Sequence, residues 1–191
     1  MKDNFIKAII LNKIKKENGY NGDIIIPKTV EFAEKTYRIT SIGESAFYLC
    51  DSLTSIVIPD SVTSIGEGAF DDCSTLNAIE VAEGNTMYDS RANCNALIHT
   101  ATNTLIRGCQ NTTIPDSVTS IGDWAFDGCE SLTEITIPNS IKSIGYEAFC
   151  GCTSLESIVI PKSVTSIGMG AFCGCRKLKS ITINDDSIEF G

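Results

Sequence analysis

The chain has 191 residues, 42% of them hydrophobic, which is enough for a sizeable core in one or two domains and unlike the composition of a disordered chain. Fifteen Lys and Arg against 24 Asp and Glu leave a net charge of −9, which opposes nucleic-acid phosphates and anionic membrane surfaces, so no nucleic-acid partner is expected. The longest apolar run is about six residues against the roughly 20 of a membrane helix, so no transmembrane segment is expected either.

From the N-terminus, "MKDNFIKAIILNKIKK" begins with a charge and a short apolar stretch, but Lys7 interrupts it and no small-residue cleavage site follows. No export signal is visible. Residues 24–30, "IIIPKTV", read as half of the repeat described below, and "TVEFAEKTYRI" alternates as a β-hairpin does. Residues 1–36 therefore read as an N-terminal cap with a hairpin, ahead of a repeat array over 37–183.

The array announces itself at residues 61–73, "SVTSIGEGAFDDC", which return nearly unchanged at 117–129 and 163–175. Aligned on Ile-Gly, the anchors Ile42, Ile65, Ile121, Ile144 and Ile167 are separated by 23, 56, 23 and 23 residues, the longest gap holding one regular repeat and one enlarged to 33. A fixed period in the twenties is the signature of a solenoid. Within one unit, Ile56 and Ile58 are two apart and share one face of a strand that Pro59, lacking an N–H, ends. Val62 and Ile65 turn inward again, and Gly66 relieves a corner where a Cβ would clash. "EGAFDDC" suits one turn of α or 3₁₀ structure with Ala69, Phe70 and Cys73 facing the core. The fold expected is a β-rich α/β solenoid of 23-residue coils, each a strand with a short helical or 3₁₀ return, stacked so that the strands form a parallel sheet.

In the enlarged repeat, about 82–114, "NALIHTATNTLI" reads as a hairpin turning near residues 101–103 before "TIPDSV" restores the frame at Ile114. Insertions of this kind map to a loop on one face. After Ile183 the template Pro is replaced by Asn184, and residues 184–191 read as a weak C-cap or a truncated end.

"LTSIVIPDSVTSIGEGAFDDC" resembles the BspA-like (Treponema pallidum-type) bacterial leucine-rich repeats, whose pattern is L-x-x-I-x-I-P-x-x-V-x-x-I-x-x-x-A-F-x-x-C. The resemblance runs over residues 24–183, with five good copies, one degenerate copy and the half-copy. It implies a right-handed solenoid with a concave parallel sheet, of a kind found mostly in surface or secreted proteins that adhere to host proteins or other cells.

Outward on that sheet stand Thr54, Ser55 and Val57; Asn77, Ala78 and Glu80; Thr133, Glu134 and Thr136; Glu156, Ser157 and Val159; and Lys179, Ser180 and Thr182. Small neutral side chains dominate, and they cost little to desolvate or to order against an extended protein or glycan partner. No pocket of convergent titratable groups is in view, so the chain reads as a non-enzymatic binding or adhesion module without catalytic, cofactor or metal residues. The rival reading is a structural spacer, or a scaffold that self-associates through its open ends.

Several motifs are set beside simpler readings. Cys50, Cys73, Cys129, Cys152 and Cys175 share one template position and read as an interior column of small hydrophobes about 4.8 Å apart. The "CGC" pairs at 150–152 and 173–175 offer four thiols, but zinc sites favour at least two intervening residues. A Cys150–Cys173 bridge between adjacent coils is sterically plausible in an oxidising compartment. Asp89, Asn93 and Asn95 faintly resemble a calcium loop, yet Arg91 stands where a ligand belongs and a polar turn is the simpler reading. His99, the only histidine, lies in a predicted strand as a hairpin surface residue, and no Walker loop is present. The "DSV" and related tripeptides at 51, 60, 116 and 186 are similar to the O-glycan acceptor of some gut bacteria, and Asp-Ser is equally what a turn after Pro favours.

Overall fold

The computed structural model describes residues 20–183 and the backbone of Glu189 and Phe190, so the readings for residues 1–19 and for most of the tail lie outside the described residues. In chain order come β1 (Asn21–Ile25), the strands β2 (Thr29–Phe32) and β3 (Lys35–Arg38), then β4 (Ser41–Ile42), β5 (Ser52–Ile58), β6 (Ser64–Ile65) and β7 (Ala78–Val81). The enlarged repeat holds β8 (Tyr88–Asp89), a 3₁₀ turn over Arg91–Asn93, β9 (Leu97–His99) and β10 (Thr104–Arg107). The regular coils resume with β11 (Ser120–Ile121), β12 (Ser143–Ile144), β13 (Ser157–Ile160), β14 (Ser166–Ile167), β15 (Ser180–Ile183) and β16 (Glu189–Phe190).

The strand sheet is parallel, with Ile24 opposite Ile56 and Ile56 opposite Ile79 in β1-β5-β7, and Ile158 opposite Ile181 in β13-β15. Alternation along β5 sends Leu53, Ile56 and Ile58 into the core and leaves Ser55 and Val57 half-buried on the other face. Because β1 pairs with β5, this ladder begins at Asn21, ahead of residue 37, and the antiparallel β2–β3 hairpin sits between its first strand and the first return. Among the described residues no helix is long and apolar enough to cross a membrane.

A second parallel ladder, not anticipated from the sequence, runs through the Ser-Ile dipeptides. Ser41 pairs with Ser64, and Ser120, Ser143 and Ser166 pair in succession. The Gly that follows the dipeptide at positions 66, 145 and 168 is required by the backbone of the neighbouring coil. A Cβ on Gly66 would stand 2.3 Å from the Glu44 nitrogen, and one on Gly145 would stand 2.5 Å from that of Asp123.

The returns are not helical, and this corrects the expected turn of α or 3₁₀ structure. Each carries isolated i→i−3 bonds, such as Ala125 N–H to the Gly122 carbonyl and Cys129 N–H to that of Phe126. Left-handed residues stand at the third and seventh positions after the anchor: Gly68 and Asp72, Trp124 and Gly128, Glu147 and Gly151. A left-handed residue cannot continue a right-handed helix. The alternation turns every second N–H toward the next coil instead. Trp124, Phe126 and Gly128 donate to the carbonyls of Tyr146, Ala148 and Cys150 at 2.9, 2.7 and 2.9 Å, and Glu147, Phe149 and Gly151 repeat the pattern onto Met169, Ala171 and Cys173.

The core divides into two clusters that meet at the enlarged repeat. Inside each, phenyl rings stack coil on coil: Phe47 on Phe70 at 5.3 Å, Phe126 on Phe149 at 4.9 Å and Phe149 on Phe172 at 5.5 Å. The enlarged repeat is not a projecting loop. Strands β8, β9 and β10 form an antiparallel meander whose last strand joins β11 in the second ladder, with Ala96, Leu97, Ile98 and Leu105 fully buried. Between residues 90 and 103 the exposed positions are Ala92, Asn93 and the tip at 100–102.

One expected strand is absent. Residues 132–138 carry the full template yet form no strand, because the coil before them offers no partner. In that coil Thr113 N–H donates to the Cys94 carbonyl and the Thr112 hydroxyl to that of Asn95, both within the insertion. On the other side a single bond, Glu156 N–H to the Thr133 carbonyl at 3.4 Å, remains.

Candidate binding surface

The outward positions fall into three groups. On β5 and β7, Thr54 and Ser55 donate from their hydroxyls to Asp23 Oδ1, each at 2.7 Å, and hold that carboxyl below the usual carboxylate range. Val57 stands opposite Glu80, and Asn77 is bonded to Gln110. These residues are half-buried except Glu80, which is exposed.

On the C-terminal side Glu156, Ser157, Val159, Lys179 and Thr182 are all exposed, with Ser157 opposite Ser180 and Val159 opposite Thr182. Lys179 Nζ meets Glu156 Oε2 at 2.9 Å, and this bond holds the Glu156 carboxyl below its ordinary range. Val159 is 53% exposed, an apolar position among short hydroxyl side chains.

Between these groups lie Thr133, Glu134 and Thr136, exposed as the sequence suggested but on an irregular segment rather than a strand. With the ladder interrupted, the surface opens into a groove of about 840 Å³ whose walls include Thr112, Asp116, Glu134, Thr136, Ser157 and Val159. The outward positions are thus one row broken in the middle. Sequence reasoning missed Thr112, in the enlarged repeat where the template gave no register, and Asp116, which follows the Pro after the frame is restored.

The cysteine column is interior, and its thiols do more than fill space. Cys73, Cys152 and Cys175 donate to the carbonyls of Phe47, Phe126 and Phe149 in the preceding coil at 3.0, 3.3 and 3.1 Å. Burial pushes the Cys73 thiol up to about 12 and the Cys129 thiol up to about 11, so both are unreactive at neutral pH. Cys150 and Cys173, with Cα atoms 4.6 Å apart, are joined as a disulfide between adjacent coils. The Glu147 carboxylate lies within 4.8 Å of both sulfurs, which the bridge occupies.

The remaining motifs resolve into local structure. Arg91 grips Asp89 through Nε and Nη2 at 2.7 and 2.6 Å and reaches the Asn103 amide oxygen at 2.9 Å, so the would-be calcium loop is a salt-bridged turn. His99 Nδ1 pairs with the Thr102 hydroxyl at 2.9 Å, its ring edge-on to Tyr88. Of the Asp-Ser sites, Ser61 is 2% exposed and out of reach of a glycan, whereas Ser52 and Ser117 are exposed.

The family model for the BspA type leucine rich repeat region matches residues 24–105 and 102–191 in six copies. No curated protein matches the sequence. Among solved structures, a leucine-rich repeat protein from Bacteroides ovatus is 34% identical over 87% of this chain and 38% of its own length, with a TM-score of 0.44. One from Eubacterium ventriosum is 26% identical over 84% of this chain and 54% of its own, with a TM-score of 0.52. A leucine rich cell surface protein from Faecalibacterium prausnitzii is 24% identical over 91% of this chain and 62% of its own, with a TM-score of 0.44. The chain spans about half or less of the length of the first two structures. With matched copies over most of its length and a stack of coils in 23-residue register, this chain belongs to the BspA-type leucine-rich repeat family.

Proposed function

We propose that this chain is a non-enzymatic binding module of a bacterial surface protein, presenting its strand face to an extended protein or glycan partner. The observation that carries the reading is the broken outward row itself. Short hydroxyl side chains flank an open groove in which backbone groups of residues 134–137 lack ladder partners among the described residues, so a partner chain or sugar can be met by main-chain and hydroxyl hydrogen bonds at little ordering cost. The surface location rests on the family's usual placement and on the name of the Faecalibacterium relative.

The test is retention of the chain on arrayed extracellular-matrix proteins and host glycans, repeated with Thr136→Lys and Val159→Lys combined. Retention of one partner, lost at least tenfold in the double variant with the melting temperature unchanged, is the expected result. No retained partner, with light scattering showing concentration-dependent self-assembly, would establish the scaffold reading instead.

A further inference from the structure

The junction between the coil anchored at Ile65 and the enlarged coil lacks one return. In a regular coil eight residues separate the anchor from the Cys, as from Ile65 to Cys73, but only four separate Leu105 from Cys109. The missing four are the x-x-A-F of the template. Two consequences are visible in the hydrogen bonds.

Downstream, two of the carbonyls that the absent return would have served, those of Ala125 and Asp127, are met otherwise. Gly108 N–H takes the Ala125 carbonyl at 2.7 Å, and the Arg107 guanidinium reaches the carbonyls of Trp124 and Asp127 at 3.0 and 2.7 Å. Gly108 is obligatory there, since a Cβ would meet the Phe126 ring at 2.1 Å. Upstream, nothing among the described residues substitutes. The N–H groups of Gly68, Phe70 and Asp72 stand where Ser45, Phe47 and Leu49, or Trp124, Phe126 and Gly128, bond the next coil, and they make no such bond.

The vacated space is a cavity of about 220 Å³ lined by Ile65, Gly68, Phe70, Tyr88, Arg107 and Trp124. Arg107 is 3% exposed, and its Nε is buried without a hydrogen-bond partner. Asp71, which also lines the cavity, meets Arg107 Nη1 at 3.5 Å and offsets its charge, while Glu67 and Asp123 add further carboxylates.

We infer that this cavity is a second binding site, which takes the main-chain carbonyls of an extended peptide segment with an apolar residue at its centre and basic residues beside it. Two free N–H groups at alternate residues of the cavity wall, Gly68 and Phe70, form the donor edge that elsewhere reads the carbonyls of residues i and i+2 of a neighbouring coil. A small anion could meet only part of that edge. The apolar walls accept the central side chain, Arg107 Nε supplies a third donor, and the carboxylates favour flanking Lys or Arg over a free carboxylate ligand.

The probe is an acetylated, amidated peptide of sequence Ile-Gly-Lys-Gly-Ala-Phe-Lys, the template return with basic outer positions. The reporter is the emission of Trp124, the chain's only tryptophan and part of the cavity wall. Addition to the intact chain is expected to give a saturable change. A reduced-amide peptide lacking the Ala-Phe carbonyl, the one that the Phe70 N–H would meet, should bind at least tenfold more weakly, and Ile106→Phe, which fills the cavity, should lose the response. No response from the wild-type chain, equal binding of the reduced peptide, or a response to benzoate but not to the peptide would each overturn the inference. Because this site lies on the return side, loss of its response leaves retention through the strand face unaffected.

Discussion

From Ile121 to Ala171 the coils repeat without interruption, whereas from Ala82 to Ile114 one coil is rebuilt, and the two regions solve the same problem differently. In the regular stretch the return side of each coil is satisfied with backbone alone, by three N–H groups per return and a Ser-Ile pair, with phenyl ring on phenyl ring, and only the strand at 132–138 goes unpaired. In the rebuilt coil one guanidinium stands in for missing backbone donors, and a buried meander stands in for the missing ring. A repeat thus distributes its stability over many equivalent weak bonds, while a defect concentrates it in a few irreplaceable side chains and leaves donors over.

The comparison is sharpened most strongly at Phe126, fully buried between Gly108 and Phe149. Phe126→Ala should cost about 3–5 kcal/mol in chemical denaturation by leaving a ring-sized cavity, and a loss below about 1 kcal/mol would contradict the stacked core. Next comes the bridge between Cys150 and Cys173, which closes a loop of 23 residues. Removing it with paired serine substitutions should lower stability by about 3 kcal/mol on the chain-entropy account, and unchanged denaturation midpoints under oxidising and reducing conditions would show that it contributes nothing.

Arg107→Met keeps the bulk of the side chain, orphans the carbonyl of Asp127 and leaves that of Trp124 only its bond from the Asp127 N–H, at a cost of roughly 1–3 kcal/mol. Mutating an exposed arginine such as Arg176 should stay within about 0.5 kcal/mol in the same assay. The smallest effect concerns Asp127. Burial raises its carboxyl to about 6 against an ordinary 3.8, so the folded chain holds this proton more tightly than the unfolded one. Stability from this group is therefore greatest below pH 4, declines as pH rises from 4 to 6, and is flat above. Asp127→Asn should remove that decline and raise stability at pH 7 by on the order of 1 kcal/mol after screening. Parallel pH profiles for the two chains would refute it.

The regular coils were largely legible in the sequence because one pattern had been written several times. Leu53, Ile56, Ile58, Val62, Ala69, Phe70 and Cys73 are all buried, as their spacing required. The form of the returns was less legible. Glycines in "EGAF", "MGAF" and "DGC" marked the left-handed positions Gly68, Gly170 and Gly128, but Ser45, Trp124 and Glu147 occupy equivalent positions and hid the rule. The strand lost at residues 132–138 was illegible for a different reason. Its own sequence is ideal, and its partner's displacement is decided by the insertion, through Cys94 and Asn95. Likewise the outward residues could be named from alternation, but the groove among them depends on that non-local break.

Amide hydrogen exchange tests most directly the claim that each coil is completed by the next and that the series fails at one junction. Phe70 and Phe126 are matched: both rings are at most 3% exposed and both belong to the same template position. The Phe126 amide, bonded to Ala148, should be protected to near the global unfolding limit, and that of Phe70 should exchange faster by orders of magnitude. Equal protection of the two amides would mean that the donor edge at Gly68, Phe70 and Asp72 is already satisfied and that the stack has no such gap.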